Sequence, residues 1–172
     1  RQNKIFTWDE KNGVKEYISP SGSTGYAPSF IDGGIGANGL AFDENGNIIL
    51  CQHGDRRLAL TSNMNSKNPK YTTIVDNFEG KRFNSPNDLA ISKSGDIYFT
   101  DPPYGFNNFS DKYREINFNG VYKYSKDGEV FLISSNMSRP NGIALSLDEK
   151  YIYVNNSDPK NDPKILRFKT SN

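Results

Sequence analysis

The chain has 172 residues, enough for one ordinary domain, with 34% hydrophobic and 13% aromatic residues. Its 11 Phe and 10 Tyr exclude a disordered chain, because disordered chains lack the rings that supply large buried area. Charge is balanced, 21 Lys and Arg against 20 Asp and Glu, and no basic stripe is present, so nucleic acid is excluded as an expected partner.

Helical periodicity is nearly absent. Short alternating apolar runs broken by Gly, Asn, Asp, Ser and Pro predict an all-β fold. In chain order the spacing predicts strands near 4–8, 14–18, 39–42, 48–52, 59–61, 71–76, 88–91, 97–100, 120–124, 130–133, 142–145, 152–155 and 165–168. Asn12-Gly13, Asn45-Gly46, Ser94-Gly95 and Asp127-Gly128 suit tight hairpins with positive φ. Segments 62–70 and 102–119 read as longer loops. No apolar run approaches the ~20 residues that span a bilayer, which predicts a soluble segment without a membrane partner. Compartment stays open between cytoplasm and a periplasmic or secreted location, and oligomeric state stays open as well. Cys51 is the single cysteine; it excludes an internal disulfide and is expected as a small buried hydrophobe.

One phrase occurs three times: Asn38-Gly39-Leu40-Ala41-Phe42-Asp43, Asn87-Asp88-Leu89-Ala90-Ile91-Ser92 and Asn141-Gly142-Ile143-Ala144-Leu145-Ser146. Each runs through a polar turn into a second apolar run, with offsets of 49 (38 to 87) and 54 (87 to 141) residues. A self-similar unit of that length built from short strands predicts propeller blades. The predicted division is a blade remnant over 1–37, blades over 38–86 and 87–140, and a partial blade over 141–172. A closed ring needs about four or more blades, so the expectation is an internal part of a single propeller domain.

The first residue of each inner strand lies near one mouth of a propeller channel, which predicts that Asn38, Asn87 and Asn141 converge. Amide oxygens are neutral hard donors suited to Ca²⁺, which takes roughly six to eight oxygens. Asn at such positions also caps turns, and the repeat alone does not separate these roles. His53, the only histidine, leaves a second strand and is expected at the opposite mouth or against the neighbouring blade, as a substrate contact, a proton relay or a structural residue. Asp101 either orients substrate or accepts turn N–H groups. Tyr104 is a candidate pocket residue. Arg56 and Arg57 are expected to brace blades through salt bridges. Asp43-Glu44-Asn45-Gly46-Asn47 superficially looks like a calcium loop but lacks the terminal Glu and flanking helices, so it reads as a hairpin turn.

Four motifs carry a resemblance: Asn84-Ser85-Pro86-Asn87-Asp88, Phe99-Thr100-Asp101-Pro102-Pro103-Tyr104-Gly105, Arg139-Pro140-Asn141-Gly142 and Cys51-Gln52-His53-Gly54-Asp55-Arg56-Arg57. In this order and spacing the chain resembles the gluconolactonase branch of the senescence-marker/gluconolactonase/luciferin-regenerating family, from about residue 1 to 160. The resemblance implies a six-bladed β-propeller with a Ca²⁺ or other divalent cation in its channel, hydrolysing sugar lactones, small-molecule cyclic esters. It implies Asn87 and Asn141 as metal ligands. The family's Glu-Gly-Pro motif has no match here, and its Asp ligand and general base is expected beyond the chain end, so about half a site is expected and no tight Ca²⁺ binding by these residues alone. Asn38 matches no ligand position and stands with His53, Asp101 and Tyr104 as a pocket candidate. Alternatives are organophosphate or aryl-ester hydrolysis on the same fold, and a non-catalytic propeller binding protein or carbohydrate through its rim.

Overall fold

The computed structural model describes residues 2–28, 35–62, 68–106, 113–160 and 163–171. Among them, β1 (Ile5–Asp9) and β2 (Gly13–Ile18) form an antiparallel pair. Two four-stranded antiparallel meanders follow. The first is β3 (Ala37–Phe42), β4 (Ile48–Gln52), β5 (Arg57–Thr61) and β6 (Thr72–Val75). A small hairpin, β7 (Asn77–Phe78) and β8 (Lys81–Arg82), separates it from the second: β9 (Leu89–Ile91), β10 (Ile97–Asp101), β11 (Gly120–Tyr124) and β12 (Val130–Ser134). A three-stranded sheet of β13 (Pro140–Leu145), β14 (Tyr151–Asn156) and β15 (Lys164–Lys169) completes the described residues.

Every predicted strand is present. The β7–β8 hairpin is the addition; Phe78 is the one apolar residue in its strands, too little for an alternation to register. Its turn is made by Glu79 and Gly80, both at positive φ. The predicted long loops at 62–70 and 102–119 fall partly outside the described residues.

Alternation along the second strands explains how the sheets stack. All five residues of β4 and all five of β10 are buried, because each strand has a neighbouring sheet on both faces. From β4, Ile48 and Leu50 pack back onto Ile18 of β2, while Ile49 and Cys51 pack forward onto Leu89, Ile97 and Phe99 of the second meander. From β10, Tyr98 turns the other way, into a cluster with Ile143, Ile152 and Val154 of the third sheet. Cys51 is fully buried, as expected. The largest aromatic cluster lies between the meanders, with Phe99 stacked on Tyr122 at 5.3 Å and Phe83 edge-on to Phe99 at 5.1 Å. Each such ring contributes about 1.5–3 kcal/mol by burial and roughly 0.5–1.5 kcal/mol more by pairing.

Polar bonds then fasten neighbouring sheets to one another at this end. Gly39 N donates to Asn87 O at 2.7 Å, Thr100 Oγ1 to Asn141 O at 2.6 Å, and Ile143 N to Asp88 Oδ2 at 3.0 Å. Stacked meanders with adjoining first strands are the blades of a β-propeller.

Candidate functional site

Each Asn phrase folds the same way because its strand carries a bulge there. Between Ala37 and Leu40 the chain advances three residues while β4 advances two, from Gln52 to Leu50. Between Pro140 and Ile143 it again advances three, against two from Asn156 to Val154. In the middle copy Asn87 N donates to Thr100 O while Thr100 N donates to Asp88 O, so two residues share one partner. A bulge re-aims the side chain at the bulged position. Here it turns three carboxamides toward a common line.

Asn38 Nδ2 donates to Asn87 Oδ1 at 2.5 Å, and Asn87 Nδ2 donates to Asn141 Oδ1 at 2.8 Å. Asn141 Nδ2 continues to Ser157 Oγ at 3.2 Å, and Ser157 Oγ is hydrogen-bonded to the Tyr104 hydroxyl. The three residues are thus linked into one amide ladder across three sheets. Together with Arg139 they line a polar cleft of about 410 Å³.

Tyr104 reaches this cleft from the 3-10 turn Pro103–Gly105 that follows β10. Gly105 N donates to Ser85 Oγ at 2.8 Å, and Ser85 Oγ donates to Pro102 O at 2.5 Å. A Cβ on Gly105 would fall 2.5 Å from Ser85 Cβ, so only glycine permits this crossing of the two loops.

Asp101 fastens the same crossing from below. Its carboxylate accepts Asn84 N and Ser85 N, each at 2.7 Å. The side chain is fully buried and does not line the cleft. Of its two sequence expectations, the geometry matches the acceptor of turn N–H groups. Burial pushes its carboxyl up to about 7, opposed by those two amides and by Arg56 and Arg114.

His53 is nearly fully buried, with Nε2 3.4 Å from Asn38 Nδ2. It stands on the same side as the ladder and against the neighbouring blade, its carbonyl 3.4 Å from where a Cβ on Gly105 would lie, so of the two placements expected the opposite mouth is the one not taken. The reason is elementary: β4 runs antiparallel to β3, with Gln52 opposite Ala37, so its exit returns to the level where β3 begins.

Two groups at this end were missed. Asp88 sits between glycines of both neighbouring sheets: its backbone lies against Gly39 and its carboxylate accepts Ile143 N. The Asn-Asp spelling of the middle phrase, between two Asn-Gly copies, was the available signal. Arg139 precedes the third phrase and is the charged residue of the cleft lining. Arg56 and Arg57 do brace the structure, although largely through neutral oxygens. Arg56 Nε donates to Phe83 O at 2.6 Å beside a 3.3 Å pair with Glu115. Arg57 Nε donates to Gln52 Oε1 at 2.7 Å beside a 3.3 Å pair with Asp55. Asp43 accepts Asn45 N and Asn47 N, the geometry of a hairpin turn.

The donor set suits one part of a hard-cation site. Asn87 and Asn141 each present an amide oxygen that accepts one N–H and has a second lone pair. Carboxylates are absent from the cleft lining, and no group of three His, Cys, Asp or Glu that could hold a metal occurs among the described residues.

A family model described as the SMP-30/Gluconolactonase/LRE-like region matches residues 1–171. A gluconolactonase of Zymomonas mobilis is 43% identical over 157 residues, covering 91% of this chain and 43% of that protein. A solved gluconolactonase of Xanthomonas campestris, 26% identical, superposes with a TM-score of 0.75 over 98% of this chain and 52% of its own. A luciferin-regenerating enzyme shares the fold at 15% identity and a TM-score of 0.61. The chain therefore spans about half the length, or less, of these relatives.

Proposed function

The chain belongs to the SMP-30/gluconolactonase/LRE-like family, and from that premise we propose that it supplies the amide half of the active site of a divalent-metal-dependent lactone hydrolase. The observation that carries this reading is the ladder: Asn87 and Asn141, on adjacent sheets, are joined at 2.8 Å in one polar cleft. A rim-binding propeller has no need of such an arrangement.

Asn87 and Asn141 would hold the cation, Ca²⁺ by the hardness of the donors, through their amide oxygens. When bound, that cation supplies Lewis-acid polarisation of an ester carbonyl. Asn38 orients the Asn87 amide by donating to it, and His53 stands behind Asn38. Tyr104 and Ser157 bring two hydroxyls to the cleft wall, donors and acceptors matched to the hydroxyls of a sugar ring. Full coordination requires carboxylates from outside this set, since two amides and water compete poorly with the ion's hydration shell.

Hydrolysis of glucono-lactone by a full-length propeller carrying these residues, followed by acid release, tests the proposal. The expected result is activity abolished by chelation, restored by Ca²⁺, and lost in Asn141→Ala with the fold retained. Undiminished hydrolysis in Asn141→Ala would refute it.

A further inference from the structure

The second strands of the three sheets meet their first strands in one register: Leu50 lies opposite Leu40, Phe99 opposite Leu89 and Val154 opposite Ile143. The residue that follows is therefore the same position in each sheet, and it is Cys51, Thr100 and Asn155 in turn. Of these three, only Thr100 carries a hydroxyl, and it is fully buried. Thr100 Oγ1 donates to Asn141 O at 2.6 Å and accepts Asp88 N at 3.3 Å. Its backbone holds the middle Asn phrase as well: Thr100 O accepts Asn87 N at 2.8 Å, and Thr100 N donates to Asp88 O at 3.1 Å. One residue thus bonds the main chain of both Asn87 and Asn141.

The two intervals between Asn residues are closed differently. Between the first and second sheets the link is backbone to backbone, Gly39 N donating to Asn87 O at 2.7 Å. Between the second and third, a side-chain hydroxyl bonds the carbonyl of Asn141 itself, and Asp88 Oδ2 takes Ile143 N at 3.0 Å. The fold does not need a hydroxyl at this position, since Cys51 is equally buried at the equivalent place. Threonine is stiff at χ1, so one bonded through N, O and Oγ1 holds a fixed length between the strands. The carboxamides of Asn87 and Asn141 spring from backbones tied to it, and they meet at 2.8 Å.

We propose that Thr100 is a positioning residue that sets the separation of Asn87 and Asn141, and with it the size of cation that the pair accepts. This rests on the metal-dependent hydrolase reading and adds selectivity to it. Oxygen ligands stand about 2.3–2.6 Å from Ca²⁺ and about 2.0–2.1 Å from Mg²⁺, so the rigidity of ligand spacing separates the two ions. Strands held at one length favour the larger ion, and strands free to close admit the smaller. Valine has the shape of threonine without the donor. Thr100→Val therefore takes this partner from the Asn141 carbonyl, while Asp88 still holds Ile143 N.

The test is titration of calcium chloride and of magnesium chloride into a metal-stripped, full-length propeller carrying these residues, by calorimetry, with thermal melts alongside. Thr100→Val should weaken Ca²⁺ binding about fivefold or more and cut the preference for Ca²⁺ over Mg²⁺ by at least about threefold. Thr100→Ser keeps the hydroxyl and loses a buried methyl. It should lower the melting temperature yet keep Ca²⁺ affinity and preference within about twofold of wild type. Affinity that follows the hydroxyl and not the melting temperature is a result that a merely structural Thr100 would not give. Should Thr100→Val not fold, Thr100→Cys, which copies the first meander at this position, makes the same comparison with Thr100→Ser. Unchanged Ca²⁺ affinity and preference in Thr100→Val, or equal losses in Thr100→Val and Thr100→Ser, would overturn the proposal and leave the hydrolase reading standing. A wild-type protein that binds no Ca²⁺ would sink the metal-dependent reading itself, and this inference with it.

Discussion

Asp101 is fully buried, and burial pushes its carboxyl up from an ordinary 3.8 to about 7. A carboxyl whose pKa is higher folded than unfolded contributes stability that is present below the unfolded value and is lost as pH rises through the folded value. Stability should therefore decline between about pH 4 and pH 8 through this group. Urea denaturation across that range checks it, and Asp101→Asn should flatten the slope. The variant should also cost about 1–3 kcal/mol, since an amide side chain cannot accept both Asn84 N and Ser85 N as the carboxylate does. The Tyr122 hydroxyl makes the opposite case. It is buried with no hydrogen-bond partner among the described residues. Tyr122→Phe keeps the ring stack on Phe99 and removes a desolvated polar group, so the melting temperature should hold or rise by a few degrees. A fall of several degrees would show an unrecognised partner for that hydroxyl. At this scale the three Asn residues were legible because they repeat in register. Asp101 was legible only as a choice between two roles, since burial decides between them and spacing does not report burial. Arg139 passed unnoticed as part of a motif, because its place in the cleft is set by β14 and its exit, far along the chain.

Bulges are the element-scale device that makes the site. They require two residues to share one partner, and the second of them must let the neighbouring sheet approach. Gly39 does so: a Cβ there would stand 2.7 Å from Asp88 Cα and 2.9 Å from Asn87 O, both backbone. Gly39→Ala should destabilise by about 1–3 kcal/mol, the usual cost of overpacking. In a full-length propeller carrying these residues it should also lower hydrolysis, by displacing Asn87 from Asn38. Thermal melts and lactone assays check the two halves; a neutral Gly39→Ala would mean the sheets can part without loss. Strand order and hairpin turns were readable from alternation and from Gly positions, and of the two places expected for His53 the direction of β4, followed to its end, selects the one against the next blade. The β7–β8 hairpin stayed hidden because two-residue strands carry no period.

For the whole molecule, neighbouring sheets cohere through apolar clusters packed between them, one on either side of β10. Large apolar residues remain exposed on the outer sheets, among them Trp8 and Val14 at 68% each and Ile165 at 71%. That surface favours self-association of the chain with rising concentration, which sedimentation velocity would detect. Residues 1–172 hold amide donors without carboxylates in the cleft lining, so they should lack micromolar Ca²⁺ affinity by themselves. Calcium titration calorimetry on a full-length propeller carrying these residues, with Asn87→Ala and Asn141→Ala beside it, tests the shared-ion reading most directly. Binding should disappear in Asn141→Ala and weaken by about 1–3 kcal/mol, roughly 5- to 150-fold, in Asn87→Ala; wild-type affinity in both variants would contradict it.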